Sequence, residues 1–98
     1  MKTSLLQQRE VAETLAIQAL AFIAEEPERL AYFLNMTGIE SSDIRAAARE
    51  PRFLAGVLEH MLGDESLLLA FAACAGIDPA DVTRARSMLG GQSERDLP

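Results

Sequence analysis

Apolar and polar positions alternate at the helical period over nearly the whole chain, with dense punctuation between the repeats. Val11, Ala12, Leu15, Ala16, Ala19, Phe22 and Ile23 share one side of a 3.6-residue wheel, opposite Arg9, Glu10, Glu13 and Gln18. That pattern predicts a first helix over residues 4–24. Its second half, residues 19–24, has no polar side chain, which predicts a place in the middle of the core. Pro27 suits a first helical position, where its missing N–H costs nothing, and Leu30, Phe33 and Leu34 give the second helix an inward face as far as Met36. Gly38 supplies the left-handed residue that ends it. A third helix is expected from Glu40 or Ser41, stopping before Pro51.

The fourth helix opens at Pro51 with the cleanest stripe in the chain: Phe53, Leu54, Val57, Leu58, Met61 and Leu62. Gly63 closes it and Asp64 is placed to cap the fifth, over residues 65–75. From Leu67 to Ala75 nothing is polar except a lone cysteine, so the fifth helix is expected to be the buried axis of the fold. Gly76 ends it. Asp78 caps a sixth helix, with Pro79 at its first position and Asp81 where a capping-box carboxylate belongs. Val82, Ala85, Met88 and Leu89 should face inward, and Gly90-Gly91 should terminate the helix. Residues 38–44 and 76–82 align at a fixed offset. A duplicated two-helix unit and shared end-of-helix chemistry both produce that match, and the sequence leaves them open.

Composition narrows the function classes. Ninety-eight residues suffice for one domain, taken as residues 1–91 with a frayed tail at 92–98. A net charge of -6 argues against generic phosphate binding, so nucleic acid is disfavoured as a partner. One cysteine excludes an internal disulfide or a Cys-pair zinc site. The N-terminal residues show no signal-peptide pattern, and the longest uncharged apolar run falls short of the ~20 residues that span a bilayer. A cytoplasmic protein with no membrane contact is the expectation.

Candidate chemistry is sparse. Ala72, Gly76 and Val82 have the spacing of a helix-turn-helix across residues 65–89, in which Arg84 and Arg86 would contact DNA. The first turn of that recognition helix carries Asp78 and Asp81, carboxylates facing phosphate, which weakens the reading. His60 precedes Asp64 by one turn, but a metal site needs three or four ligands. It is read as a surface cation near a helix end. Cys74, in the most apolar helix, is expected to behave as a buried hydrophobe. Glu25, Glu26 and Glu28 suit a helix start. No nucleophile motif, phosphate loop or paired-carboxylate cleft is present, so neither catalysis nor a cofactor is expected. Arg45, Arg49 and Arg52 form the basic cluster, a patch suited to an acidic protein surface.

Taken together, Leu20-Ala21-Phe22-Ile23-Ala24, Pro27-Glu28-Arg29-Leu30, Phe33-Leu34, Thr37-Gly38, Phe53-Leu54, Val57-Leu58 and Asp64-Glu65 form a recognisable set. Leu67-Leu68, Ala70-Phe71-Ala72 and Gly76-Ile77 extend it. The chain resembles a bacterial domain-of-unknown-function family of about this length over residues 11–91. The resemblance implies a small all-helical protein without an assigned activity, and no site residues are carried over from it. The expectation is an all-α, compact orthogonal bundle of about six short helices around a central apolar fifth helix. Functionally it is read as a non-enzymatic interaction module whose partner is another protein or a second copy. A helix-turn-helix regulator is the alternative.

Overall fold

The computed structural model describes residues 5–94, with side chains over residues 6–89. Six helices follow one another among these residues, without a strand: α1 (Leu5–Ala24), α2 (Pro27–Thr37), α3 (Ile44–Ala47), α4 (Pro51–Leu62), α5 (Glu65–Ala75) and α6 (Pro79–Glu94). A 3-10 turn at Ser41–Asp43 leads into the single turn of α3. The all-α prediction and the order of elements hold.

The helix ends follow local chemistry. Gly38 and Gly76 both take the left-handed conformation, φ 75° and 71°, and return their N–H groups to Leu34 and Ala72. Asp64 accepts from the Leu67 N–H at 3.2 Å, the cap predicted for α5. At α6, Asp78 accepts from the Ala80 N–H at 3.0 Å and Asp81 accepts from the Asp78 N–H at 3.2 Å, a reciprocal box. The internal similarity covers the glycine caps; beyond them, one copy makes a 3-10 turn and the other a long helix.

The core is a three-helix packing of α1, α4 and α6. Ala12, Leu15, Ala16, Ala19, Leu20 and Ile23 meet Leu54, Val57, Leu58 and Met61, with Val82, Ala85 and Leu89 from α6. The alanines of α1 lower its ridge where the other two helices approach. Phe33 is the one fully buried side chain of α2, and it fixes that helix against the bundle.

Four expectations need correction. The fifth helix is not the central axis: α5 buries Phe71 and Ala72, while Leu69 is 50% exposed and Ala70, Ala73 and Cys74 face outward. A helix apolar all round has no direction built into its pattern, and α6 takes the central place instead. Cys74 is exposed rather than packed as a hydrophobe. Val11 is 67% exposed, because the buried face of α1 runs through Ala12, Leu15, Ala16 and Ala19, leaving Val11 beside the stripe. Gly90-Gly91 does not end α6, which continues to Glu94. Helical hydrogen bonding tolerates glycine at a propensity cost of about 1 kcal/mol per residue. The predicted tail at residues 92–98 lies mostly outside the described residues.

Candidate functional site

The segment joining α2 to α4 is short, angular and built from local hydrogen bonds. Thr37 Oγ1 donates to the Phe33 carbonyl at 3.0 Å, closing α2 before the left-handed Gly38 turns the chain. Past α3 the chain tightens: the Arg49 N–H reaches the Ala46 carbonyl at 3.2 Å and the Glu50 N–H reaches Ala47 at 2.9 Å. Glu50 is extended, φ -95° and ψ 122°, as the residue before a proline must be. Pro51 then starts α4, pointed back along α2. Phe53, in its first turn, meets Phe33 edge-on with ring centroids 6.0 Å apart.

These turns leave a groove of about 510 Å3 open to solvent. Ile39, Ala47, Phe53 and Gly56 supply its apolar floor, and Thr37, Glu50 and Arg52 its polar edge. Arg52 therefore lines the groove, and Arg45 and Arg49 stand exposed on the segment that forms its wall. Sequence reading found the arginines but missed the floor. The available signal was Gly56, a glycine in the interior of a strongly patterned helix with no turn to explain it.

The other arginines have different fates. Arg84 pairs with Asp81 at 2.5 Å, and Arg86 places Nε and Nη2 at 3.1 and 2.6 Å from one oxygen of Glu59. The pairing with Arg84, together with the Asp78 N–H, holds the Asp81 carboxyl below its usual range. Arg29 lies 4.2 Å above the Phe22 ring, donates to the Phe22 carbonyl at 2.9 Å, and approaches Glu26 at 3.8 Å. It thereby clamps α2 onto the end of α1. Arg45, Arg49 and Arg52 have no ion pair or hydrogen bond among the described residues.

His60 is half-buried rather than a free surface cation. Its ring meets Phe33 edge-on at 5.0 Å and tilts against Tyr32 at 5.8 Å. Burial lowers its pKa, and the nearby Asp64 carboxylate partly opposes that shift. Asp64 is committed to capping α5. Among the described residues, no three His, Cys, Asp or Glu side chains gather as a metal site, and no charged side chain is fully buried.

A second, shallower groove of about 260 Å3 runs between α1 and α5, lined by Gln18, Ala21, Phe22, Glu25, Phe71 and Cys74. The helix-turn-helix spacing is present in space: Ala72 and Val82 are buried and α5 and α6 cross at 102°. Its two candidate DNA-contacting arginines, Arg84 and Arg86, are the ones held by carboxylates. No single described helix is long and apolar enough to cross a membrane.

Fold and grooves together define a small all-helical domain with one arginine-bordered apolar surface and no assembled catalytic constellation among the described residues. Residues 9–92 match the family described as "Protein of unknown function (DUF3572)", and the chain belongs to that family. No curated protein and no solved structure matches it.

Proposed function

We propose that this chain is a non-enzymatic protein–protein interaction module that docks its partner at the groove between α2, α3 and α4. The observation that supports this reading is the contrast among the arginines. Arg29, Arg84 and Arg86 approach carboxylates of their own chain, whereas Arg45, Arg49 and Arg52 are exposed without partners among the described residues. Between Ile44 and Arg52 three arginines stand against one glutamate, on a chain whose net charge is -6. Arginine beside an apolar floor is the composition of protein interfaces, where its fork binds carboxylates and its stem packs on carbon. The reading calls for no cofactor and no membrane. Duplex DNA is a poorer fit, since the arginines of α6 are neutralised and Asp78 and Asp81 lead that helix.

The test uses the full chain as an immobilised bait beside its Arg45→Glu, Arg49→Glu, Arg52→Glu triple variant, with extract of the native host. A protein retained by the wild type and lost by the triple variant is the expected result. Duplex DNA binding at micromolar affinity in ~0.15 M salt, weakened by Arg84→Ala with Arg86→Ala, would overturn the reading in favour of a regulator.

A further inference from the structure

Gly56 stands in the interior of α4, a position where glycine is among the least favourable residues. Its backbone does not take positive φ, unlike Gly38 and Gly76. It is exposed, and a Cβ built on it meets nothing within 4 Å, so no neighbour in the chain requires the missing side chain. The two usual reasons for a helix to keep a glycine, a left-handed turn and a close approach by another element, are both absent. Gly56 instead forms part of the groove floor, one turn along α4 from Phe53. Bare backbone there gives room for a side chain brought from outside. The rim adds a sign: Arg45, Arg49 and Arg52 carry unpaired positive charge, and Glu40, Asp43 and Glu50 nearby make no ion pair with them.

We infer that the groove takes an acidic amphipathic segment of a partner protein, with a large apolar side chain over Gly56 and carboxylates against Arg45, Arg49 and Arg52. This inference rests on the reading of the groove as the docking surface, and adds the chemistry of the occupant and the position of its anchor. Apolar contact over Phe53 and Gly56 supplies affinity and the arginines supply orientation, as when an amphipathic helix lies in a groove.

The test is a titration of the isotope-labelled full chain with three synthetic peptides. One is acidic and amphipathic, with Leu and Phe at helical spacing among Glu; the second replaces its apolar residues by Gln; the third replaces its Glu by Lys. Only the first should move the amide signals of Ile39, Ala47, Phe53 and Gly56. Gly56→Leu, which plugs the floor, should weaken that peptide by about tenfold or more, a change of roughly 1.4 kcal/mol. Gly56→Ala should bind nearly as the wild type and keep or raise the Tm. Gly56→Gln is a second plug, in case Gly56→Leu fails to fold. Equal binding of the acidic apolar and acidic polar peptides, unaffected by either plug but lost in the arginine triple variant, would overturn the anchor and leave the docking surface standing. Absence of groove shifts with every peptide, equal response to the Lys peptide, or self-association through these residues would overturn the proposed occupant. Indifference of protein capture to the arginine triple variant would separately overturn the docking surface.

Discussion

The two helices that meet at Gly63 and Asp64 are nearly the same length and have opposite fates. α4 interrupts its apolar residues with Arg52, Gly56, Glu59 and His60, and it buries Leu54, Ala55, Val57, Leu58 and Met61. α5 runs from Leu67 to Ala75 without a charge, yet buries only Phe71 and Ala72. The difference teaches that polar residues do as much as apolar ones to place a helix. In α4 they exclude one face from the core and so select the other. α5 has nothing to exclude, and full burial would require neighbours on every side. A chain this small has too high a ratio of surface to volume to surround two helices completely. α6, with charge on one side and Val82, Ala85 and Leu89 on the other, fits between α1 and α4, and α5 rests outside.

Substitutions on the two helices should separate them sharply. The largest effect is expected at Phe71, the one aromatic anchor of α5, where Phe71→Ala should cost about 3–5 kcal/mol in urea unfolding. That is a large part of the ~5–15 kcal/mol typical of a domain. Leu58→Ala on α4 should follow at about 2–5 kcal/mol, because Leu58 is fully buried among core side chains. Leu69→Ala, the same chemical change on the exposed side of α5, should stay within about 0.5 kcal/mol. Equal losses at Leu58 and Leu69 would show that α5 is covered in solution.

The cap between the helices comes next. Asp64→Ala removes the acceptor for the Leu67 N–H and should cost about 1 kcal/mol, readable as a lower urea midpoint. Asp64→Asn should recover most of it. An unchanged midpoint in Asp64→Ala would show that water serves the helix start equally well.

The smallest effect concerns pH and the ring that α4 offers to α2. The His60 pKa is lowered in the folded chain, chiefly by burial against Phe33 and Tyr32 and despite Asp64. Between that value and the ordinary 6.5 the unfolded chain binds a proton that the folded chain does not. The contribution is therefore fully present above pH 6.5 and declines as the pH falls toward the folded pKa. The Tm difference between wild type and His60→Gln should favour the wild type more at pH 7.5 than at pH 5. A difference that runs the other way would place a stabilising imidazolium at His60.

How much was legible depended on the range of the interactions. Helix ends were readable because each is decided within a few residues: Gly38 and Gly76 by their φ, Pro27, Pro51 and Pro79 by their missing N–H, Asp64, Asp78 and Asp81 by their reach to nearby donors. The stripe of α4 was readable for the same local reason. The arginine cluster could be seen as charge, but its apolar neighbour could not, since Ile39, Ala47 and Phe53 meet only after the turns at Gly38 and Glu50 close. The Arg86–Glu59 pair joins residues far apart in sequence, and no local pattern announces it.

Sequence alone thus determined that this chain is helical, where most of its helices begin and end, and which face of α4 turns inward. Those outcomes follow from dihedral preference, orphan N–H groups and amphipathic period, all of which act over one or two turns. Only the tertiary structure decided that α6 rather than α5 completes the core, that Cys74 is exposed, and that a helix-interior glycine opens onto an arginine-edged groove. Each of those depends on how six helices compete for a limited interior, and an apolar residue records only its preference for burial, not whether a neighbour is available to bury it.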